Sequence, residues 1–167
     1  AYRISDETLH FNGKSTLISL QNGGGKSVLV QMLPAPFVHP KYRNTKDRLF
    51  ESYFTTNKPS FILVEWALDQ GAGYVLTGLM VRKSQDMEED RKENLDIIGI
   101  VSEYQSPCIQ DIHHLPVVEK GKKEMILKNF NSCRQLFETY KKDRDMKFFY
   151  YDLTNYAQSR QYFNKLM

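Results

Sequence analysis

One glycine-rich hexapeptide has the residue types and the spacing for phosphate chemistry. Asn22-Gly23-Gly24-Gly25-Lys26-Ser27 follows a β-prone run and precedes VLVQML, whose apolar residues recur at helical spacing. Glycines allow backbone N–H groups to turn toward phosphate oxygens, and the N-terminus of the following helix attracts the same anion. We therefore predict a phosphate-binding loop whose contacts come from Asn22, Gly23, Gly24, Gly25, Lys26, Ser27 and Val28.

Two side chains at the end of this loop predict a nucleotide with its metal ion. We expect the Lys26 ammonium to neutralise the β- and γ-phosphates of ATP, and the Ser27 hydroxyl to coordinate Mg²⁺. The complete motif has a further glycine five residues before Gly25, where this chain has Leu20. The competing interpretation is a glycine-rich turn followed by an exposed lysine, which the predicted strand before it and helix after it disfavour.

The acid that would hold the water shell of the metal is not assigned by the sequence. Three apolar segments run into an acid, at residues 61–65, 97–103 and 148–152. Glu65 lies in the middle of a predicted antiparallel hairpin, and no glycine or second acid follows Asp152, so neither fits the catalytic position. The catalytic residues are therefore left unknown.

The sequence predicts neither a metal site nor a nucleophilic catalytic site. Cys108, Asp111, His113 and His114 lie close together in the sequence, but they lack the paired spacing of a structural zinc site. No Ser-His-Asp or Cys-His arrangement can be assembled from the sequence.

Composition is that of a globular domain in a reducing compartment. Of 167 residues, 41% are hydrophobic, 13% aromatic and 26% charged, which excludes wholesale disorder. No apolar run approaches the roughly 20 residues of a membrane span, and no signal peptide is recognisable. With two cysteines, Cys108 and Cys133, a disulfide framework is not expected, so we predict a cytoplasmic protein without a membrane partner.

The predicted elements place the loop at the start of an α/β fold. Asn12-Gly13 is a strong hairpin signal, and we predict strands at residues 8–11 and 15–21 on its two sides. The helix after the loop should end after about two turns, because prolines follow at positions 34, 36 and 40. A short helix is predicted around residues 50–54.

An antiparallel β-meander should come next. Residues 61–68, 74–83 and 95–104 are rich in β-branched and aromatic side chains, and the connection DQGAG is too short for a crossover helix. The two-residue period predicts one shared strand face, formed by Ile62, Val64, Trp66 and Leu68.

The sequence of residues 106–167 predicts mainly helices. Residues 125–142 carry an apolar stripe, which we interpret as a packing face because it is too short for a coiled coil. The stripe consists of Ile126, Phe130, Cys133, Phe137 and Tyr140. A strand at 148–153 and a helix from Tyr156 should close the chain. We divide it into a loop part (1–58), a meander (59–105) and a helical part (106–167).

The hexapeptide resembles the N-G-[SAG]-G-K-S loop of the SMC, RecN and MukB group of ATP-binding cassette ATPases. The order of elements is similar to that of these heads, including MukB and the JetC subunit of Wadjet defence systems. The resemblance implies a P-loop NTPase of the ABC-ATPase head type, and this chain would be its N-terminal lobe, with the meander and a helical portion leading to a coiled coil.

That resemblance also implies a mechanism and partners. Two heads would sandwich two ATP molecules, and hydrolysis would need the C-terminal half of the head, which carries the signature motif, the Walker B acid and the switch histidine in the family. The expected function is DNA organisation, plasmid defence or DNA repair. The implied partners are the C-terminal half, a second head bound through ATP, double-stranded DNA and kleisin-like accessory subunits.

Two alternative functions are kept. One is a repair ATPase of the same superfamily that acts with a nuclease, and the named residues do not separate it from the first. The other is a P-loop nucleotide-binding module or small-molecule kinase that does not act on DNA. The predicted meander disfavours a kinase, because such kinases alternate parallel strands with helices directly after the loop.

A basic cluster just after the loop helix is a candidate DNA contact. Its members are Lys41, Arg43, Lys46 and Arg48, with Asp47 among them. Such a patch can neutralise backbone phosphates without reading bases. The interpretation as an ordinary solvated loop is the stronger of the two, because charge runs on loops are usually soluble surface.

Overall fold

The computed structural model describes residues 7–55, 59–84, 94–107, 118–120, 125–127 and 147–167. Two α-helices and six β-strands lie in these ranges. In chain order they are α1 (Lys26–Met32), β1 (Ser60–Ala67), β2 (Tyr74–Lys83), β3 (Leu95–Tyr104), β4 (Val118–Lys120), β5 (Met125–Leu127), β6 (Lys147–Asp152) and α2 (Tyr156–Leu166). Single 3₁₀ turns occur at Pro40–Tyr42, Phe50–Tyr53 and Asp69–Gly71.

The main sheet is antiparallel and has the strand order β1-β2-β3-β6. The predicted meander and the predicted hairpin are therefore confirmed, and so is the α/β content. In the tight connection from β1 to β2, Gly71 and Gly73 have φ values of 73° and 104°. An added Cβ at Gly73 would lie 2.7 Å from the carbonyl oxygen of Tyr104, so the turn has no space for a side chain there.

The two-residue period of β1 is confirmed as far as the strand extends. Ile62, Val64 and Trp66 pair with Leu79, Thr77 and Val75 on β2. The Trp66 indole Nε1 donates to the Thr77 hydroxyl at 2.9 Å, which places the two side chains on one face. The fourth predicted member, Leu68, lies after the end of β1 and is half exposed.

One face of the sheet is covered by α1, α2 and the segment between α1 and β1. The buried residues of this core are Val28, Met32, Ala35, Phe50, Tyr53, Phe54, Leu79, Val81, Leu95, Ile97, Val101, Leu153 and Tyr162. A second, smaller cluster of Met80, Ile98 and Ile100 lies at the alternate strand positions. The short helix predicted around residues 50–54 is confirmed as a 3₁₀ turn.

The C-terminal helix packs on the sheet, and Tyr162 is its most deeply buried side chain. Asn155 caps the helix by accepting from the backbone N–H groups of Ala157 and Gln158, which confirms the predicted start at Tyr156. The Tyr162 ring lies directly on the backbone of β3, where a Cβ added to Gly99 would be 2.5 Å from the ring carbon Cδ2. This approach requires the missing side chain of glycine.

The strands predicted at 8–11 and 15–21 are wrong. The turn between them exists: Asn12 and Gly13 have φ values of 51° and 64°, and the Lys14 N–H donates to the Phe11 carbonyl at 3.0 Å. This is the geometry of a type I′ hairpin turn. Residues 7–11 and 15–21 nevertheless form no β-ladder and are almost entirely exposed. A local turn signal sets the turn, but a strand also needs a partner to pair its N–H and C=O groups.

The helix predicted over 125–142 is wrong at its start. Met125–Leu127 is β5, which pairs antiparallel with β4 in a separate two-stranded sheet. Three consecutive apolar residues are compatible with either period, so the pattern could not identify this strand. Residues 128–142, which hold the rest of the predicted stripe, lie outside the described residues.

Gly99→Ala should lower the free energy of unfolding by about 1–3 kcal/mol, because the new methyl group would overlap the Tyr162 ring. Urea unfolding followed by circular dichroism measures the change. Ser102→Ala in the same strand is the control: its buried Oγ has no hydrogen-bond partner among the described atoms, so its loss should be nearly neutral. An equal cost for both variants would contradict the proposed contact.

Candidate functional site

The glycine loop forms a tight turn in front of α1. Gly23 and Gly25 are in the left-handed region, with φ values of 81° and 85°, and Gly24 lies between them. In anion-binding nests, left-handed residues that alternate with residues of other backbone conformation turn neighbouring N–H groups to one side. The Gly24 N–H itself donates to the Gln21 carbonyl at 3.0 Å, so in this conformation that donor closes the turn.

The loop combines a tight inner side with an open outer side. An added Cβ at Gly24 would lie 3.0 Å from the Gln21 carbonyl oxygen, whereas nothing lies within 4 Å of one added at Gly23. The two glycines thus allow a tight turn with an open outer side. Asn22, Gly23 and Gly24 are exposed, which leaves the loop accessible to a ligand.

Lys26 and Ser27 are the first two residues of α1, and both are exposed. The N-cap is Gly25, which has no side chain to accept from the first-turn N–H groups, and no acid lies in that turn. A cation, a hydroxyl and backbone donors therefore lie together at the positive end of the helix. The side chain of Val28 is buried in the core, so any contact of this residue with a phosphate would come from its backbone N–H.

The buried face of α1 is fixed by one polar and two apolar residues. Val28 and Met32 pack in the core, and Gln31 lies between them, 7% exposed. The Gln31 amide Nε2 donates to the Arg43 carbonyl at 2.6 Å, and its Oε1 accepts from the Tyr53 hydroxyl at 2.8 Å. The loop helix is thus attached to the segment that follows it in the chain.

The three acids considered for catalysis take part in local contacts. Glu65 accepts from the Tyr104 hydroxyl across the strands, and Glu103 forms an ion pair with Lys165 of α2 at 2.8 Å. The Asp152 carboxylate accepts from the backbone N–H and the hydroxyl of Thr154, which forms the turn before α2. All three acids lie on strands of the antiparallel sheet.

No metal centre is found in the part of the chain that the structure describes. No three His, Cys, Asp or Glu side chains come together there. Cys108, Asp111, His113 and His114 lie outside the described residues.

Among the described ranges, no helix has the length and apolar character that crossing a membrane requires.

The basic cluster is not a single surface patch. Arg43 is 1% exposed, its Nε donates to the Ala35 carbonyl at 3.0 Å, and its guanidinium lies 5.9 Å from the ring centroid of Phe50. The Arg48 guanidinium lies over the Tyr53 ring at 4.3 Å. Lys41 and Lys46 are exposed. Neither interpretation of the cluster, as a DNA contact or as a solvated loop, holds for Arg43, because its side chain is buried.

Sequence reasoning missed the polar core around α1. Gln31, Tyr53 and Arg43 are buried and linked by hydrogen bonds, and Tyr162 lies near Arg43. Burial raises the pKa of the Tyr162 hydroxyl well above its usual range, against the opposing effect of the Arg43 charge. The hydroxyl therefore stays protonated and donates to the Pro36 carbonyl at 3.0 Å. One signal was present in the sequence: Gln31 occupies a helix position flanked by the apolar residues Val28 and Met32.

Comparisons of the chain with models of protein families, with curated proteins and with solved structures gave no match. The resemblance to the SMC, RecN and MukB group therefore stays a prediction, and the function must be argued from the residues themselves.

Arg43→Ala should lower the free energy of unfolding by about 2–4 kcal/mol, because it removes buried packing and a charged hydrogen bond to Ala35. Lys46→Ala, an exposed cation three residues later, should change it by less than about 0.5 kcal/mol. Thermal or urea unfolding measures both. Similar small effects for the two variants would contradict a buried structural role for Arg43.

Proposed function

We propose that this chain binds Mg²⁺-ATP through the loop 22–28 and serves as the ATP-binding half of an SMC-like ATPase that acts on DNA. The observation that carries the proposal is the position of Lys26 and Ser27 at the start of α1, directly after a left-handed glycine. A cation, a hydroxyl and first-turn N–H groups are the groups by which proteins hold a triphosphate with its magnesium ion.

Residues Gly23 to Ser27 have specific roles in this proposal. The Lys26 ammonium neutralises the terminal phosphates, and the Ser27 hydroxyl provides one oxygen ligand to Mg²⁺. The remaining ligands come from the phosphates and water, as is usual for this ion. Backbone N–H groups of Gly23, Gly25 and the first turn of α1 approach the phosphate oxygens, whereas the Gly24 N–H closes the turn.

Hydrolysis belongs to a larger assembly in this proposal. The acids considered in this chain are engaged in the sheet and in a turn, which agrees with a catalytic acid supplied from the C-terminal half of the head. Two such heads would enclose the nucleotides between them, with kleisin-like subunits as further partners. The chain on its own is expected to bind ATP with very slow turnover.

A nucleotide-binding protein of another class is the competing proposal. A small-molecule kinase would alternate parallel strands with helices after the loop. Here α1 is followed by 3₁₀ turns and an antiparallel sheet, which favours the ATPase head over a kinase. A repair ATPase that acts with a nuclease shares the same loop and remains a variant of the first proposal.

Lys26→Ala should weaken binding of Mg²⁺-ATP by about 10- to 100-fold, because a charge-assisted contact to phosphate is lost. Ser27→Ala should weaken it mainly when Mg²⁺ is present, since its hydroxyl acts through the metal. Isothermal titration calorimetry measures both affinities.

The matched control for these variants is Lys83→Ala, which removes an exposed lysine at the end of β2. It should bind ATP as tightly as the unmodified protein. Equal affinities for Lys26→Ala and Lys83→Ala would contradict the assignment of the phosphate loop.

DNA binding should involve the exposed lysines of the basic cluster and not its buried arginine. The double variant Lys41→Ala, Lys46→Ala should reduce the slope of log affinity against log salt by about 0.9 per lysine, because each loses one phosphate contact. Fluorescence anisotropy with duplex DNA at several salt concentrations measures the slope, in the full ATPase. A slope equal to that of the Lys83→Ala control would assign these lysines to ordinary solvated surface.

A further inference from the structure

The helix that follows the phosphate loop, α1, is too short to keep a fixed position by its own hydrogen bonds. α1 has 7 residues, and a helix of two turns is unstable in water without tertiary contacts. Its apolar anchors, Val28 and Met32, attach it to the core, but hydrophobic contact by itself is not directional. A directional hydrogen bond elsewhere on the helix can therefore add to the precision with which Lys26 and Ser27 are placed.

Gln31 makes that directional contact. Its amide donates to the Arg43 carbonyl at 2.6 Å and to the Arg48 carbonyl at 3.4 Å, while its oxygen accepts from the Tyr53 hydroxyl at 2.8 Å. One side chain thus joins α1 to three points of the segment 43–53. Because Gln31 lies one helical turn after Ser27, a displacement of this segment would move the start of the helix as well.

The same segment is connected to the sheet and to α2. Arg43 donates from Nε to the carbonyl of Ala35, which lies just after α1. The next carbonyl, that of Pro36, accepts from the Tyr162 hydroxyl of α2. Hydrogen bonds therefore connect Gln31 to the segment 43–53, this segment to the turn after α1, and that turn to the C-terminal helix. These bonds lie on one face of the sheet, and the Tyr104 hydroxyl lies on the other.

We propose that Gln31 is the positioning residue of the phosphate loop, and that it couples ligand binding at Lys26 and Ser27 to the ordering of the segment 43–53. The ligand part of this inference rests on the proposed function. Coupling between two sites is reciprocal: if the ordered segment favours the binding position of α1, then the bound ligand must favour the ordered segment.

Hydrogen–deuterium exchange of the unmodified protein and of Gln31→Met tests the proposal. Methionine keeps the length of the side chain and removes all three hydrogen bonds. We expect faster exchange in residues 26–33 and 43–53 together, with β2 and β3 unchanged, and about tenfold weaker ATP affinity. Mg²⁺-ATP should slow exchange in the segment 43–53 of the unmodified protein, but not in Gln31→Met.

The control is Tyr104→Phe, which removes a hydroxyl hydrogen bond to Glu65 away from α1 and should leave exchange in 26–33 unchanged. If Gln31→Met does not fold, Tyr53→Phe replaces it, since it deletes a single bond to Gln31. Exchange that rises equally over the whole chain, or in 26–33 without 43–53, would overturn the proposal.

The outcomes also separate this inference from the proposed function. If the unmodified protein fails to bind ATP, the proposed function falls, and the joint exchange of 26–33 and 43–53 in Gln31→Met still decides the positioning role. If ATP binds but exchange in 43–53 does not respond in the unmodified protein, the proposed function stands and the coupling is overturned.

Discussion

The close contact between the Tyr162 ring and the backbone of Gly99 is the constraint on which the rest of the described structure depends. It brings α2 onto the sheet at a distance that no side chain on β3 would allow. The hydroxyl at the end of the same ring donates to the Pro36 carbonyl at 3.0 Å and lies 3.4 Å from the Gly78 carbonyl. One side chain therefore joins the C-terminal helix, two central strands and the turn that follows the loop helix.

This arrangement explains how a short helix can hold the proposed phosphate loop in place. The glycines before α1 supply the left-handed turn, and the helix supplies its N-terminal donors, but neither has the stability to keep a fixed position alone. The buried contacts of Val28, Gln31 and Met32 supply that position. Binding residues on loops need a rigid framework to orient them, and for the proposed phosphate loop that framework is the antiparallel sheet with its polar core.

The sequence predicts the elements better than it predicts their partners. β2 and β3 could be predicted to the residue because both are rich in β-branched and aromatic side chains, and the structure shows that Asn155 caps the start of the predicted α2. The strands beside Asn12-Gly13 were wrong because pairing depends on a partner that local residues do not specify. The burial of Arg43 could not be predicted either, since a cation in a loop is normally exposed and only the surrounding core makes it structural.

In the proposed function, Gly23, Gly25, Lys26 and Ser27 contact the phosphates of a bound nucleotide. Titration of isotope-labelled protein with Mg²⁺-ATP, followed residue by residue through backbone amide resonances, tests it most directly. We expect large shifts in the amide resonances of residues 22–28, smaller shifts in the segment 43–53, and unchanged resonances in β1. Unchanged resonances in residues 22–28, or saturable shifts confined to another surface, would contradict it.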